Sequence, residues 1–218
     1  ITNVSHDIRT PLTSIVTYVD LLKKEQEPAK MKEYVGVLEQ KAQKLKLLTD
    51  DLFEAAKAST GNIPVHLEDL NIVSLIRQGL GEKDGEVVKT GLQFKLNVPD
   101  EKLMVRADGK LLWRAVENLL TNIFKYALPG SRVYIDMEEL DREIAVTFKN
   151  ISAQELNVPA EELLERFTRG DAARASEGSG LGLNIAKSLV ELMHGRMEVE
   201  IDGDLFKAKI RLPKVMPA

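Results

Sequence analysis

Apolar residues at the start of the chain step by threes and fours, at Ile1, Val4, Ile8, Leu12, Ile15, Val19 and Leu22. One stripe of that period predicts an amphipathic helix. The pattern turns polar over Lys23 to Glu27, and Pro28 marks the break, since proline starts helices far better than it continues them. A second stripe, Met31, Val35, Leu38, Ala42, Leu45, Leu48, Leu52 and Ala56, keeps a near-heptad spacing and predicts a coiled-coil-like seam. Two long helices joined by a short turn make an antiparallel hairpin that cannot bury its whole apolar width alone. Pairing of two hairpins into a four-helix bundle, and so a homodimer, is expected.

Past Ser59-Thr60-Gly61-Asn62 the pattern changes, which places a domain boundary there, with a hairpin over 1–60 and a second domain over 61–218. Leu70 to Ile76 leads into a helix ending near Glu82, and short strands are expected at 92–96 and 103–105 around the turn Val98-Pro99-Asp100-Glu101. A helix from about Asp108 to Tyr126 buries Leu111, Leu112, Ala115, Val116, Leu119, Leu120 and Ile123. Alternating segments at 132–137 and 144–148 read as an antiparallel hairpin through Leu140-Asp141-Arg142. A long irregular stretch follows, broken by a short helical piece near 160–167, and such stretches are commonly binding loops. It ends on a glycine-rich run that opens a helix over 184–193, after which strands are expected at 197–201 and 206–212.

Composition narrows the function classes. An apolar fraction of 44% and a charged fraction of 29% are ordinary for a chain that folds around a real core. A net charge of -4 leaves no basic surplus for a nucleic-acid partner. The chain has no cysteine, which excludes disulfides and thiol chemistry. No apolar run is long enough to span a bilayer and no signal peptide is visible. A start at Ile1, directly in a helical pattern, is expected of a fragment of a longer protein.

The unexpected chemistry lies in three places. Ser5-His6-Asp7-Ile8-Arg9-Thr10-Pro11-Leu12 sets a histidine beside a carboxylate, with a hydroxyl four residues on and a proline inside the helix. Asp7 can hydrogen-bond one imidazole nitrogen and leave the other nucleophilic. Pro11 removes the backbone bond to the carbonyl of Asp7 and should bend the helix one turn past His6. In the second place, Asn118 and Asn122 share a helix face near Lys125 and Tyr126. A pair of amide oxygens can help to hold a hydrated Mg²⁺, and the lysine suits a phosphate, although a plain polar helix face would look the same. Third, Gly178-Ser179-Gly180-Leu181-Gly182-Leu183 opens a helix, where backbone N–H groups and the helix dipole favour an anion. It lacks the Gly-Lys-Ser/Thr of a Walker loop, and no strand precedes it as in a dinucleotide fingerprint.

Together these stretches resemble the sensor histidine kinases of two-component systems, over the whole chain. The His6 stretch looks like the family's H box, and Asn118-Leu119-Leu120-Thr121-Asn122 with Lys125-Tyr126 looks like the N box. Arg166-Phe167-Thr168-Arg169-Gly170 looks like the F box, and Gly178 to Leu183 the G2 box. The resemblance implies an all-helical dimerisation and phosphotransfer hairpin followed by a Bergerat-type α/β sandwich that binds ATP. It implies that His6 attacks the γ-phosphoryl with Asp7 as base or orienting partner. Asn122 would bind Mg²⁺ with help from Asn118, Lys125 would meet phosphates, and Tyr126 would flank the nucleotide. Arg166, Arg169 or Arg174 would reach the phosphate tail from the lid, which Gly178, Gly180, Leu181 and Gly182 would contact through backbone. Thr10 fits a pattern in which the hydroxyl positions a water that removes phosphate from the receiver domain of a response regulator. Kinase and phosphatase activities are both implied, in the cytoplasmic portion of a membrane-tethered bacterial protein whose membrane segments are missing from this chain.

The sequence departs from the family after the strand ending near Phe148. The G1 box should read Asp-x-Gly-x-Gly, with its aspartate accepting from the adenine amino group, but Asn150 stands where Asp would be and Ser152 where glycine would be. An amide oxygen still accepts that bond, without charge and only in the correct flip. A loss on the order of 1 kcal/mol is expected, weakening ATP several-fold. The altered stretch leaves open a second reading, a scaffold that dimerises and docks a receiver but binds nucleotide poorly. The closing Gly-x-Gly-Thr turn is altered too, to Asp202-Gly203-Asp204-Leu205, a hairpin variation expected to bear little on the chemistry.

Overall fold

The computed structural model describes residues 2–59, 63–99, 102–157, 159–164 and 180–216. Helix α1 (Thr2–Leu22) runs unbroken through a buried Pro11. The hydroxyls near it bond back one turn, Thr10 Oγ1 donating to the His6 carbonyl at 3.0 Å, Ser14 Oγ to that of Thr10 at 3.1 Å and Thr17 Oγ1 to that of Thr13 at 3.0 Å. Such back-bonding bends helices rather than breaking them, and here it accompanies the missing N–H of proline. Helix α2 (Pro28–Ser59) has its proline at the first helical position, where the absent N–H leaves nothing unpaired. In the turn, the Glu25 carboxylate accepts from the N–H groups of Gln26 and Glu27 at 2.9 and 3.0 Å. Tyr18 and Tyr34 meet edge to face across the hairpin, ring centroids 5.6 Å apart, which sets its antiparallel register.

The second half begins with β1 (Glu68–Asn71), α3 (Ile72–Glu82), α4 (Asp84–Thr90), β2 (Gln93–Asn97), β3 (Met104–Ala107) and α5 (Gly109–Tyr126). It continues with β4 (Arg132–Glu139), β5 (Glu143–Ile151), α6 (Ala160–Leu164), α7 (Gly182–Leu192), β6 (Arg196–Asp202) and β7 (Leu205–Pro213). The main sheet has the order β2-β4-β5-β7-β6, antiparallel except for the β2–β4 pair, and β1 pairs with β3 as a separate ribbon.

The sheet has two unlike faces because strand residues alternate. One face buries Val133, Ile135 and Met137, then Ile144, Val146 and Phe148, then Ala208, Ile210 and Leu212, against apolar stripes of α5 and α7. The other carries cross-strand ion pairs: Lys149 with Asp136, Lys207 with Glu200 at 2.8 Å, and Arg211 with Glu198 at 3.3 Å. The result is a two-layer α/β sandwich. Helix α3 seats on α5 through a glycine: a Cβ on Gly79 would lie 1.8 Å from the Trp113 ring. Gly195, between α7 and β6, is equally constrained, since a Cβ there would lie 2.5 Å from the Arg211 carbonyl oxygen.

The expected elements are present with shifts of up to three residues, the helical piece near 160–167 lying within the described residues only as far as Leu164, and there are two additions, β1 and α4. The ribbon strand is Glu68-Asp69-Leu70-Asn71, held by backbone pairing rather than by an apolar face, and α4 buries no residue. The end of α2 belongs to the sandwich core, with Ala55 and Ala58 2% and 5% exposed and α2 packed on α7. The last turns of α2 thus pack on the sandwich.

Candidate active site

The site is built outward from α5. Asp108 caps the helix, its Oδ1 accepting from the N–H groups of Lys110 and Leu111 at 3.0 and 3.1 Å while its Oδ2 accepts from that of His66 at 2.9 Å. Burial works to raise the Asp108 carboxyl, but the three backbone donors outweigh it and hold its pKa below the ordinary value.

Further along α5, the amide of Asn118 is oriented by its Nδ2, which donates to the Arg114 carbonyl at 2.9 Å. That leaves Oδ1 facing the start of α7, where a Cβ on Gly182 would lie 3.3 Å from it. Among the described residues no side-chain cap of α7 is present, and Gly180, just before it, takes a φ of 69° that favours glycine. The α7 N-terminus, suited to an anion, and an amide oxygen, suited to a cation, are thus brought together. Asn122, one turn on, is half-buried, and its side chain makes no hydrogen bond to another described residue. Lys125 lies over the Tyr126 ring, 4.8 Å from its centroid. Helix α7 begins two residues earlier than the sequence pattern suggests, so Gly182 sits within its first turn.

Asn150 continues the buried row Ile144, Val146 and Phe148 of β5 and is 3% exposed. Its Oδ1 has no hydrogen-bond partner among the described residues, and its Nδ2 reaches the Ile151 carbonyl only at 3.4 Å. An amide at the end of an apolar row, with its acceptor unmet, costs about 1–3 kcal/mol unless a ligand completes it. The stretch after it is pinned on both sides. Leu128 N–H donates to the Ile151 carbonyl at 2.8 Å, Ala153 N–H to that of Tyr126 at 2.8 Å, and Ser152 N–H to that of Asp204 at 2.7 Å. The turn Asp202-Gly203-Asp204-Leu205 is a two-residue hairpin loop, as expected, yet through Asp204 it fixes the residue two beyond Asn150.

On the hairpin, the His6 side chain is 79% exposed and that of Asp7 only 27%, with Nδ1 3.7 Å from the carboxylate. The imidazole is therefore open to an approaching group, and its Nδ1 edge faces the acid. The tyrosine pair puts His6 roughly level with Lys46, so the α2 segment seated on the sandwich, Leu52 to Ala58, lies roughly 9–18 Å further along at 1.5 Å per residue.

Arg166, Arg169, Arg174 and Gly178 lie outside the described residues. Sequence reasoning passed over two features. Asn184 donates from Nδ2 to the Leu164 carbonyl at 3.0 Å, tying α7 to α6, and its only sequence signal is an amide between Leu183 and Ile185. Arg114 joins α5 to α2 through Glu54 at 2.8 Å, a pairing of distant charges that carries no local signal. Among the described residues no group of three or more His, Cys, Asp or Glu is placed to hold a metal, and no helix is long and apolar enough to cross a membrane.

Comparison with known proteins agrees with this geometry. Residues 1–61 match the His Kinase A (phospho-acceptor) domain, and residues 107–215 match the histidine kinase-, DNA gyrase B- and HSP90-like ATPase family. The sensor protein VanSC of Enterococcus gallinarum is 30% identical over 216 residues, 97% of this chain and 59% of that protein. The signal transduction histidine-protein kinase/phosphatase MprB of Mycolicibacterium smegmatis is 35% identical over 208 residues, 89% of this chain and 40% of that protein. Among solved structures, the histidine kinase ThkA in complex with the response regulator protein TrrA has the same fold, with a TM-score of 0.75 at 21% identity over 98% of this chain and 60% of that one. The chain therefore joins a phospho-acceptor hairpin of the His Kinase A class to an ATPase-type sandwich. The chain belongs to the sensor histidine kinases of two-component systems, and it spans only 59% and 40% of these two curated relatives.

Proposed function

We propose that the chain autophosphorylates His6 from ATP and passes the phosphoryl group to an aspartate on a response regulator, with residues 1–60 as the dimerisation and acceptor hairpin and 61–218 as the ATP-binding domain. The observation that carries the ATP reading is the buried, unmet Oδ1 of Asn150, which an adenine amino group would complete. It also weighs against the scaffold reading, because an amide kept buried with an open acceptor is a cost without a ligand.

Asn118 Oδ1 and Asn122 fit Mg²⁺ together with phosphate oxygens, since the ion takes few protein ligands and keeps several waters. Bound there, the ion would neutralise charge on the phosphates. Lys125 and the first turn of α7, with Gly180, Leu181 and Gly182, would hold the phosphate tail, and Tyr126 would border the nucleotide. Arg166, Arg169, Arg174 and Gly178 stand as further candidates for the same tail. Asp7 lies on the Nδ1 side of His6, 3.7 Å away, which leaves Nε2 as the nitrogen open to attack the phosphoryl group. The new bond runs from Nε2 to the γ-phosphorus, the bond from that phosphorus to the bridging oxygen breaks, and the electron pair leaves with ADP.

The Thr10 hydroxyl donates to the His6 carbonyl and keeps its lone pairs for a water, the arrangement a phosphatase step on the receiver would use. MprB is named as a kinase and phosphatase, and ThkA was solved with its response regulator, which supports both assignments. Leu12 and Val16 on α1, with Met31, Val35 and Phe53 on α2, remain exposed in the single chain, as a hairpin awaiting a second copy would leave them. Incubation with labelled ATP and Mg²⁺ tests the reading. Acid-labile label on the wild type, lost in His6→Ala and Asn122→Ala, is the expected result, and a folded wild type without label would overturn it.

A further inference from the structure

We propose that Asn150 makes the base pocket tolerant of 6-oxo purines, so that inosine and guanosine triphosphates are taken beside ATP. The inference rests on the reading that Asn150 meets the base.

The amide sits at the end of the row Ile144, Val146 and Phe148, so whatever touches it does so out of water. Hydrogen-bond complementarity there is felt at nearly full strength. A primary amide carries an acceptor and two donors on one plane, whereas a carboxylate offers acceptors only. With its unmet Oδ1 toward the base, Asn150 accepts from a 6-amino group. A 6-oxo purine presents an acceptor at the same place and needs a donor in return. Nδ2 can supply it, because its one contact is the Ile151 carbonyl at 3.4 Å, near the outer limit of a hydrogen bond. Turning the amide over gives up that weak contact and brings Oδ1 to about the same distance from the Ile151 carbonyl, a mild acceptor–acceptor approach, and Oδ1 has no partner among the described residues to hold it back. Either purine then finds a complementary edge, and neither leaves a charge unpaired. With a carboxylate in this position, a 6-oxo group would face an acceptor in a dry pocket, the kind of mismatch that sites built on one hydrogen-bond pattern reject strongly.

The guanine 2-amino group adds a second variable, so inosine triphosphate tests the 6-position cleanly. Dissociation constants for ATP and inosine triphosphate, measured by calorimetry on the full chain with Mg²⁺, are compared in the wild type, Asn150→Asp and Asn150→Ala. The expected wild-type ratio is within about tenfold, and Asn150→Asp should widen it by at least about tenfold while keeping or tightening ATP. A wild type that already discriminates as strongly as Asn150→Asp overturns the proposal while leaving Asn150 at the base. If neither Asn150→Asp nor Asn150→Ala changes either affinity, Asn150 does not meet the base, and the underlying reading and the proposal fall together. Should Asn150→Asp fail to fold, Asn150→Ala decides: a similar loss for both nucleotides supports the proposal, and a loss confined to ATP overturns it.

Discussion

Arg114 and Glu54, 60 positions apart in the chain, are joined by a forked ion pair. Arg114 Nη2 lies 2.8 Å from Glu54 Oε2, and Nε lies 3.1 and 3.0 Å from the two carboxylate oxygens. The pair is one end of a chain of charges. Glu117 lies 3.2 Å from Arg114 Nη1 and 3.1 Å from Lys83 Nζ, and Asp51 lies 3.7 Å from Nη2. The hydrogen bonds to Glu54, ahead of the opposing effect of burial, raise the pKa of the guanidinium further. Burial works to raise Glu117, yet Lys83 and then Arg114 bring it below the ordinary range.

Glu54→Gln keeps the shape of the pair and removes its charge. Asp51 and Glu117 remain near the guanidinium, so the expected cost is about 1 kcal/mol rather than the larger figure for a fully stranded charge. Urea unfolding reads it directly. An unmoved midpoint would mean that the pair contributes nothing net.

Gly182→Ala should act on binding more than on folding. The new Cβ arrives 3.3 Å from Asn118 Oδ1, tighter than ordinary contact, and pushes the amide oxygen off its line. Affinity for ATP with Mg²⁺ should fall about tenfold while stability shifts by less than about 1 kcal/mol. Calorimetry and thermal unfolding on the same sample separate the two.

Gly79→Ala should do the reverse. In an open helix this change stabilises by about 1 kcal/mol. Here the methyl would lie 1.8 Å from the Trp113 ring, so the indole must move and the sign inverts, with a loss of about 1–3 kcal/mol. Trp113 is the only tryptophan in the sequence, so a change in its emission reports the displacement.

Asp108→Ala removes the acceptor for three backbone N–H groups and should cost about 1–2 kcal/mol near neutral pH. The folded pKa lies below its ordinary value of 3.8, so the contribution is fully present above that value and is lost as pH falls through the folded pKa. The stability gap between wild type and variant should therefore stay constant from neutral pH down to mild acid and close below it. A gap that widened on acidification would contradict the cap.

What was legible in the sequence follows from what local pattern can encode. The helices with a clear apolar period, the β4–β5 hairpin and the polar residues that packing does not require (His6, Asn118, Asn122 and the glycine run) stand out within a few positions of their neighbours. The strand β1 does not, because Glu68-Asp69-Leu70-Asn71 has no strand propensity and owes its form to pairing with β3. Helix α4 buries nothing and is closed by Gly91 in the left-handed region, so no stripe marks it. The seating of α2 on the sandwich is invisible for another reason. The stripe counted along α2 ends on Ala56, which is exposed, whereas the buried Ala55 and Ala58 lie off it, and Glu54 reads as one more solvated charge until Arg114 is placed beside it. Asn150 is legible as a departure from a motif, but the unmet Oδ1 that gives it meaning exists only once β5 is packed.

Residue 114 does two things at once: its side chain grips α2, and its carbonyl holds the amide of Asn118. Helix α2 is 32 residues long, a shaft of roughly 48 Å at 1.5 Å per residue. Its far end carries Met31 and Val35, and its near end is keyed into the sandwich by two alanines and an ion pair. A roll of one residue, roughly 100°, would carry Glu54 off the guanidinium, and the first place to register it lies one helical turn from the oxygen that faces Gly182.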